Sequence, residues 1–327
     1  VRSLLVGLSL LAAAPTAAQD APRLHLSSLV EVLAEAGGMA PDGVRLPAVR
    51  LAARAAPWAG TGLLLQAELV RTPVLLDARL STAIAGPLVL DAGLFITPFG
   101  REFPTPRPDL PMIERARVVR TLVPGRQVGA SLRATLPVGT STATLHGGLF
   151  NGNGGRTFVN DGDGAMALAR AEVRAPVGGA VLRLGVSGAT SRDESVSVSQ
   201  IADGFAGRRT VGGADAELVA GRLWVIAEGV AMRLTPESAP DSGAVRSPWG
   251  GAVTASVEAA RRGARALRVV GRADAFDADD GSGTGLRLAG GVDLDTGGPL
   301  RIQAEVGVPT DDARAADVQL LLRYRLR

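Results

Sequence analysis

The densest chemistry in this chain lies between residues 100 and 125. Arg101, Arg107, Arg115, Arg117 and Arg120 fall inside that stretch and Arg126 closes it, against Glu102, Asp109 and Glu114 as the acids. A guanidinium is a planar fork of donors that grips two oxygens of a phosphate or carboxylate together, and it stays charged near neutral pH. Pro104, Pro106, Pro108 and Pro111 fix φ through the first half of the segment and stiffen it. A stiff cationic segment suits selection of anions at a narrow place, where rings of Arg exclude cations. Two other placements fit the same residues: against the phosphates of a lipopolysaccharide surface, or simply in water.

Arginine carries the whole basic charge of the chain: there is no lysine among the 35 basic residues, which oppose 32 acids for a net charge of +3. The pI of 10.6 therefore reflects the high pKa of Arg more than a large excess of cations. With no cysteine, neither disulfides nor thiolate-bound metals are available. His25 and His146 are the only histidines. No serine motif accompanies them, so a nucleophilic triad is not expected, and the chain is not read as an enzyme. Residues 151–163 and Asp277–Asp280 are rich in Asn and Asp oxygens but lack the spacing and terminal Glu of a calcium loop; both read as external loops. Without a phosphate-binding loop or dinucleotide fingerprint, no cofactor and no nucleic-acid partner are expected.

The elements that position the arginines follow from a rhythm of about ten residues. From Leu24 to Leu326, small or apolar side chains alternate with polar ones, as a strand with two different faces requires. Sixteen strands fit this reading. Over 126–136, Val128, Ala130, Leu132, Ala134 and Leu136 form one side, with Gln127, Ser131 and Arg133 on the other. Over 316–326, Val318, Leu320, Leu322 and Tyr324 oppose Gln319, Arg323 and Arg325. The breaks alternate between short turns and longer loops, the latter including 100–125 and 191–209. That asymmetry, an even strand count and the two-faced strands predict an all-β protein, a transmembrane antiparallel β-barrel with short periplasmic turns and long extracellular loops. An Arg facing lipid costs about 2–4 kcal/mol at mid-membrane. Arg79, Arg133, Arg170 and Arg174 are therefore expected on the lumen wall, nearly balanced by acids such as Asp77, Asp91 and Glu172. Residues 1–19 read as a secretory signal peptide and 20–327 as one barrel domain in the outer membrane of a Gram-negative type of cell.

Between Leu76 and Asn153 the runs LLDARL, LDAGLFITPFGREF, MIERARVVRTLVPGRQVGASL and LFNGNG occur in that order. In order and spacing they resemble the phosphate-selective porin O and P family. The resemblance covers residues 44–154, about a third of the chain. It implies a sixteen-stranded, usually trimeric outer-membrane channel that passes phosphate or polyphosphate along arginines and lysines. This chain departs by having no lysine, and by ending Tyr324-Arg325-Leu326-Arg327 where such barrels end in an aromatic. The combined expectation is a porin for passive diffusion of small anions through an Arg-lined constriction, with outer-membrane lipid and lipopolysaccharide around it and two further copies beside it. A weakly selective pore and a non-conducting structural barrel are the alternatives.

Overall fold

The structure, a computed structural model, describes residues 24–38, 42–70, 72–154, 158–160, 164–198, 201–237, 244–310 and 316–326. The expected signal peptide lies outside these residues. The strands are β1 (Leu24–Gly37), β2 (Gly43–Ala55), β3 (Thr61–Glu68), β4 (Val74–Ala85), β5 (Leu88–Ile96), β6 (Arg126–Val138), β7 (Ser141–Phe150) and β8 (Met166–Val177). They continue as β9 (Ala180–Val198), β10 (Ala202–Ala220), β11 (Leu223–Pro236), β12 (Trp249–Arg262), β13 (Arg265–Asp277), β14 (Thr284–Asp295), β15 (Leu300–Pro309) and β16 (Asp317–Leu326). Each pairs antiparallel with its chain neighbours, and β1 pairs with β16 from Ser28↔Leu326 to Gly37↔Asp317, which closes the barrel. The chain thus forms a closed antiparallel barrel of sixteen strands, with no free edge to satisfy.

Alternation sets the faces. On β6, Leu132 and Leu136 are exposed outward while Gln127 and Ser131 are buried inside. On β16, Leu320, Leu322 and Tyr324 look out and Arg323 is sealed within. Among the described residues, no helix is long and apolar enough to cross a membrane; the strands carry the apolar belt. One set of connections is tight. Gly139 and Gly221 take φ of 58° and 57°, the left-handed conformation that a two-residue hairpin turn demands and that glycine adopts without a Cβ clash.

Two departures from the sequence reading stand out. Residues 191–209, expected as a long loop, are mostly strand: β9 runs on to Val198 and β10 begins at Ala202, as a projecting hairpin. The apolar face used to recognise a strand is interrupted there by the polar side chains of Ser191, Arg192, Asp193 and Arg208. The other departure concerns 97–125, which carries a 3₁₀ turn at Arg107–Asp109 and α1 (Arg117–Leu122). This segment enters the barrel and supplies much of its core. Phe99, Val118, Val119 and Leu122 are sealed against Phe150, Met166, Val211, Val230 and Phe276 of the inner wall.

Candidate permeation pathway

The inserted segment is stitched to one side of the barrel. Gly100 N donates to Ser187 Oγ on β9 at 3.1 Å, and the amides of Arg101 and Glu102 donate to one oxygen of Glu228 on β11 at 3.1 and 2.8 Å. Arg272 on β13 reaches Glu102, Thr254 Oγ1 (2.8 Å) and the Glu114 carbonyl (2.7 Å). Farther round, Ile113 N donates to Glu305 at 2.5 Å, Gln303 holds the Pro111 carbonyl at 2.8 Å, and Arg301 holds the Leu110 carbonyl at 3.0 Å. At the barrel seam, Glu31 of β1 accepts from Arg323 of β16 and from Arg107 of the segment, each at 2.5 Å. Inner-wall glycines make room for this filling: a Cβ on Gly213 would stand 2.9 Å from the Phe99 ring, and one on Gly250 2.9 Å from Val118.

The six arginines of the segment meet different fates. Arg101 pairs with Glu217 at 3.0 Å, and Arg126 grips Asp77 with two nitrogens at 3.1 and 3.3 Å. Burial lowers the Arg107 pKa, but Glu31 and then Glu114 outweigh it and hold this guanidinium above its ordinary range. Arg117 stacks over Phe276 at 4.6 Å, and Arg120 stays largely exposed, 3.8 Å from Glu114. Arg115 has no carboxylate in contact. It donates to the carbonyls of Phe103 (3.1 Å) and Thr105 (2.6 Å) and lies over the Phe103 ring at 5.1 Å. Burial, against the pull of Glu102, pushes its pKa down to about 10, with Arg107, Arg126 and Arg50 adding to the depression.

The wall arginines divide as well. Arg170 is buried between Asp215 (2.5 and 2.9 Å) and Glu172 (2.9 Å), which neutralise it. Arg79 is 3.8 Å from Asp91 and 40% exposed. Arg133 faces His146 across the β6–β7 pair, and Arg174 faces Thr142 and Arg183 across its neighbours. Neither makes an ion pair among the described residues. Sequence reasoning missed Arg50 and Arg54, although Ala48, Arg50, Ala52 and Arg54 alternate plainly on one face of β2. Arg50 pairs with Glu68 at 2.8 Å; Arg54 is exposed, 3.4 Å from Ser27 Oγ.

These contacts split the lumen into two unlike halves. Beneath the segment the wall is sealed, with Asp215, Glu228, Asp274, Gln303 and Glu305 all buried. Opposite, on β2 to β8, Arg54, Thr135 and Arg174 are exposed and Arg79, Arg133 and His146 are half-buried. A cavity of 440 Å³ lies on the short-turn side of the segment, lined in part by Arg101, Trp224, Glu217, Arg268 and Asp293. One of 220 Å³ lies on the long-loop side, beside Arg120, Arg126, Gln127 and Arg209. Asp277 and Asp280 do not converge on an ion site: each accepts from groups of its own turn, Thr284 and Ser282 among them.

The geometry has close parallels among solved structures. The chain shares its fold with outer-membrane porins. A loop L8 deletion mutant of OmpT, an outer membrane protein of Vibrio cholerae, superposes with a TM-score of 0.68 over 94% of this chain and 100% of that one, at 14% identity. The trimer form of OmpT from the same organism gives 0.60 over 94% and 100%, at 12% identity. An anion-selective porin from Comamonas acidovorans gives 0.63 over 93% and 100%, again at 12% identity. No family model and no curated protein matches the sequence.

Proposed function

We propose that this protein is an outer-membrane porin that lets small solutes diffuse passively, with a modest preference for anions. One observation carries the reading: the inserted segment covers one side of the inner wall and leaves Arg54, Arg79, Arg133 and Arg174 on the other side open to water. These groups lend donors to a passing anion for part of its hydration shell and are solvated enough to release it. Arg115 adds a cation held by backbone carbonyls, with no ion pair among the described residues. Phosphate is the favoured anion, on the resemblance of residues 44–154 to the phosphate-selective porins and on the match of guanidinium to its oxygens. A homotrimer is the assembly we favour; the Vibrio cholerae OmpT trimer form supports it by fold.

A second reading, a weakly selective pore, draws on the ion pairs that neutralise Arg107, Arg126 and Arg170. At about 0.15 M salt the screening length is about 8 Å, so paired charges contribute little at a distance. Single-channel currents in planar bilayers under a salt gradient distinguish these readings. An anion-selective reversal potential, with chloride current reduced by millimolar phosphate, is expected. A cation-selective potential would remove the anion preference, no block by phosphate would favour the second reading, and silent but inserted protein would remove the channel.

A further inference from the structure

The outer surface carries a feature the pathway does not use. High on the long-loop ends of β9, β10 and β11, Arg192, Arg208 and Arg233 point away from the lumen and are exposed. Arg192 and Arg208 are direct cross-strand partners; like charges so placed weaken a sheet. Glu237 pairs with Arg192, and Glu194 stands two residues farther along the same face. Arg208 and Arg233 have no hydrogen-bond or ion-pair partner among the described residues.

Directly below, the belt changes texture. Elsewhere it projects Leu132, Leu145, Leu288 or Leu320. Across β10 to β13 it offers Ala214, Gly229, Gly251 and Ala273, which leave an apolar depression of 540 Å³ with Trp249 and Leu286 on its rim. Four residues of strand, about 13 Å, separate Arg233 from Gly229, so the cations stand above the depression as a headgroup stands above its chains.

We propose that this face holds a phosphorylated, multiply acylated glycolipid of the outer leaflet. Its phosphates sit on Arg192, Arg208 and Arg233, and an acyl chain fills the depression. Charge complementarity favours such a lipid: exposed guanidiniums above an apolar depression match phosphates above acyl chains, and a twofold pairing through this patch would set the arginines against each other; a threefold contact, which joins unlike faces, is an outcome of the cross-linking below. A phosphate instead relieves the Arg192–Arg208 repulsion with paired donors.

The test uses the full-length refolded barrel in detergent, with native mass spectrometry as the readout. The probes are hexa-acylated bis-phosphorylated lipid A, its dephosphorylated form and inorganic phosphate. One bis-phosphorylated lipid should be retained about tenfold or more tightly than the dephosphorylated form. The triple variant Arg192→Gln/Arg208→Gln/Arg233→Gln should lose that margin. Gly229→Leu should weaken both lipids alike; a Cβ there meets nothing nearer than 3.8 Å, so folding, checked by heat-dependent gel mobility, is retained. Equal retention of lipid by wild type and triple variant overturns the proposal. So does arginine-dependent binding of inorganic phosphate with no effect of Gly229→Leu, which marks a free-anion site. High-yield cross-linking of Ala214→Cys between two copies also overturns it, since the face would then belong to a second barrel.

Discussion

Arg272→Ala should loosen the inserted segment without unfolding the barrel. In the native protein the side chains of Arg272 and Glu102 are only 5% and 6% exposed. Removing the guanidinium deprives Glu102 of the one ion pair it makes among the described residues and leaves it the Ala116 amide at 3.2 Å. It also strips the Glu114 carbonyl and Thr254 of their shared donor. Taking one partner from a buried pair costs about 3–5 kcal/mol. At about 1.4 kcal/mol per factor of ten, the released population should rise by about two to three powers of ten. The middle of the segment keeps its ties to Glu31, Gln303 and Glu305, and its N-terminal end keeps Ser187, Glu228 and Glu217, so release should be confined to its C-terminal end, α1 included. Single-channel recording should then show a larger mean conductance or slow steps between two levels. Hydrogen exchange should speed up at the α1 amides. Glu102→Gln/Arg272→Met, which leaves no buried charge, should recover much of the native behaviour. Native conductance, noise and α1 protection in Arg272→Ala would refute the reasoning, because the pair would then not be what holds the segment.

Four further outcomes are expected. Arg54→Glu/Arg133→Glu/Arg174→Glu should lower the anion-to-cation permeability ratio about fiftyfold: each site changes by two charges, and a charge about 8 Å away in water with one screening length between contributes about 0.2 kcal/mol, of opposite sign for anion and cation; the reversal potential reports it. Anion preference should fall as pH rises through about 10, where Arg115 gives up its proton; reversal potentials on either side of that pH measure the change. For stability the sign is opposite. The folded pKa lies below the group's ordinary value, so protonation is disfavoured in the fold, and this group's contribution should become less destabilising as pH rises above about 10. Gly213→Leu should displace Phe99 from the β10 wall and raise conductance, read in the same bilayers. Leu132→Arg puts a cation on the lipid face and should cost about 2–4 kcal/mol in unfolding measurements from vesicles.

How much was legible in the sequence depended on whether the partner was near in the chain. Strand faces are local: Leu132 and Ser131 sort themselves by alternation alone, and so did the inward positions of Arg79, Arg133, Arg170 and Arg174. The far part of β9 and β10 was not recognised because one face is polar and the other breaks its apolar run at Ser191 and Asp193 before Val196, Val198 and Phe205 resume it. The state of each arginine was not legible at all. Arg107 is neutralised by Glu31, 76 residues earlier, and Glu102 by Arg272, 170 residues later. Only closure of the ring brings such pairs together. Arg115, by contrast, is held by carbonyls 10 to 13 residues away, yet nothing in the spacing says that backbone rather than carboxylate will receive it.

Glu31 belongs at once to the first strand, the last strand and the segment between β5 and β6, through Arg323 and Arg107. The joint that completes the cylinder is therefore also the mooring of its stopper. An empty tube with its seam sealed would leave Arg107 unanswered and one oxygen of Glu31 without its donor, so zipping the final strand and seating the obstruction stabilise each other. Whatever strains the seam should therefore also slacken the stopper, and whatever dislodges the stopper should weaken the seam.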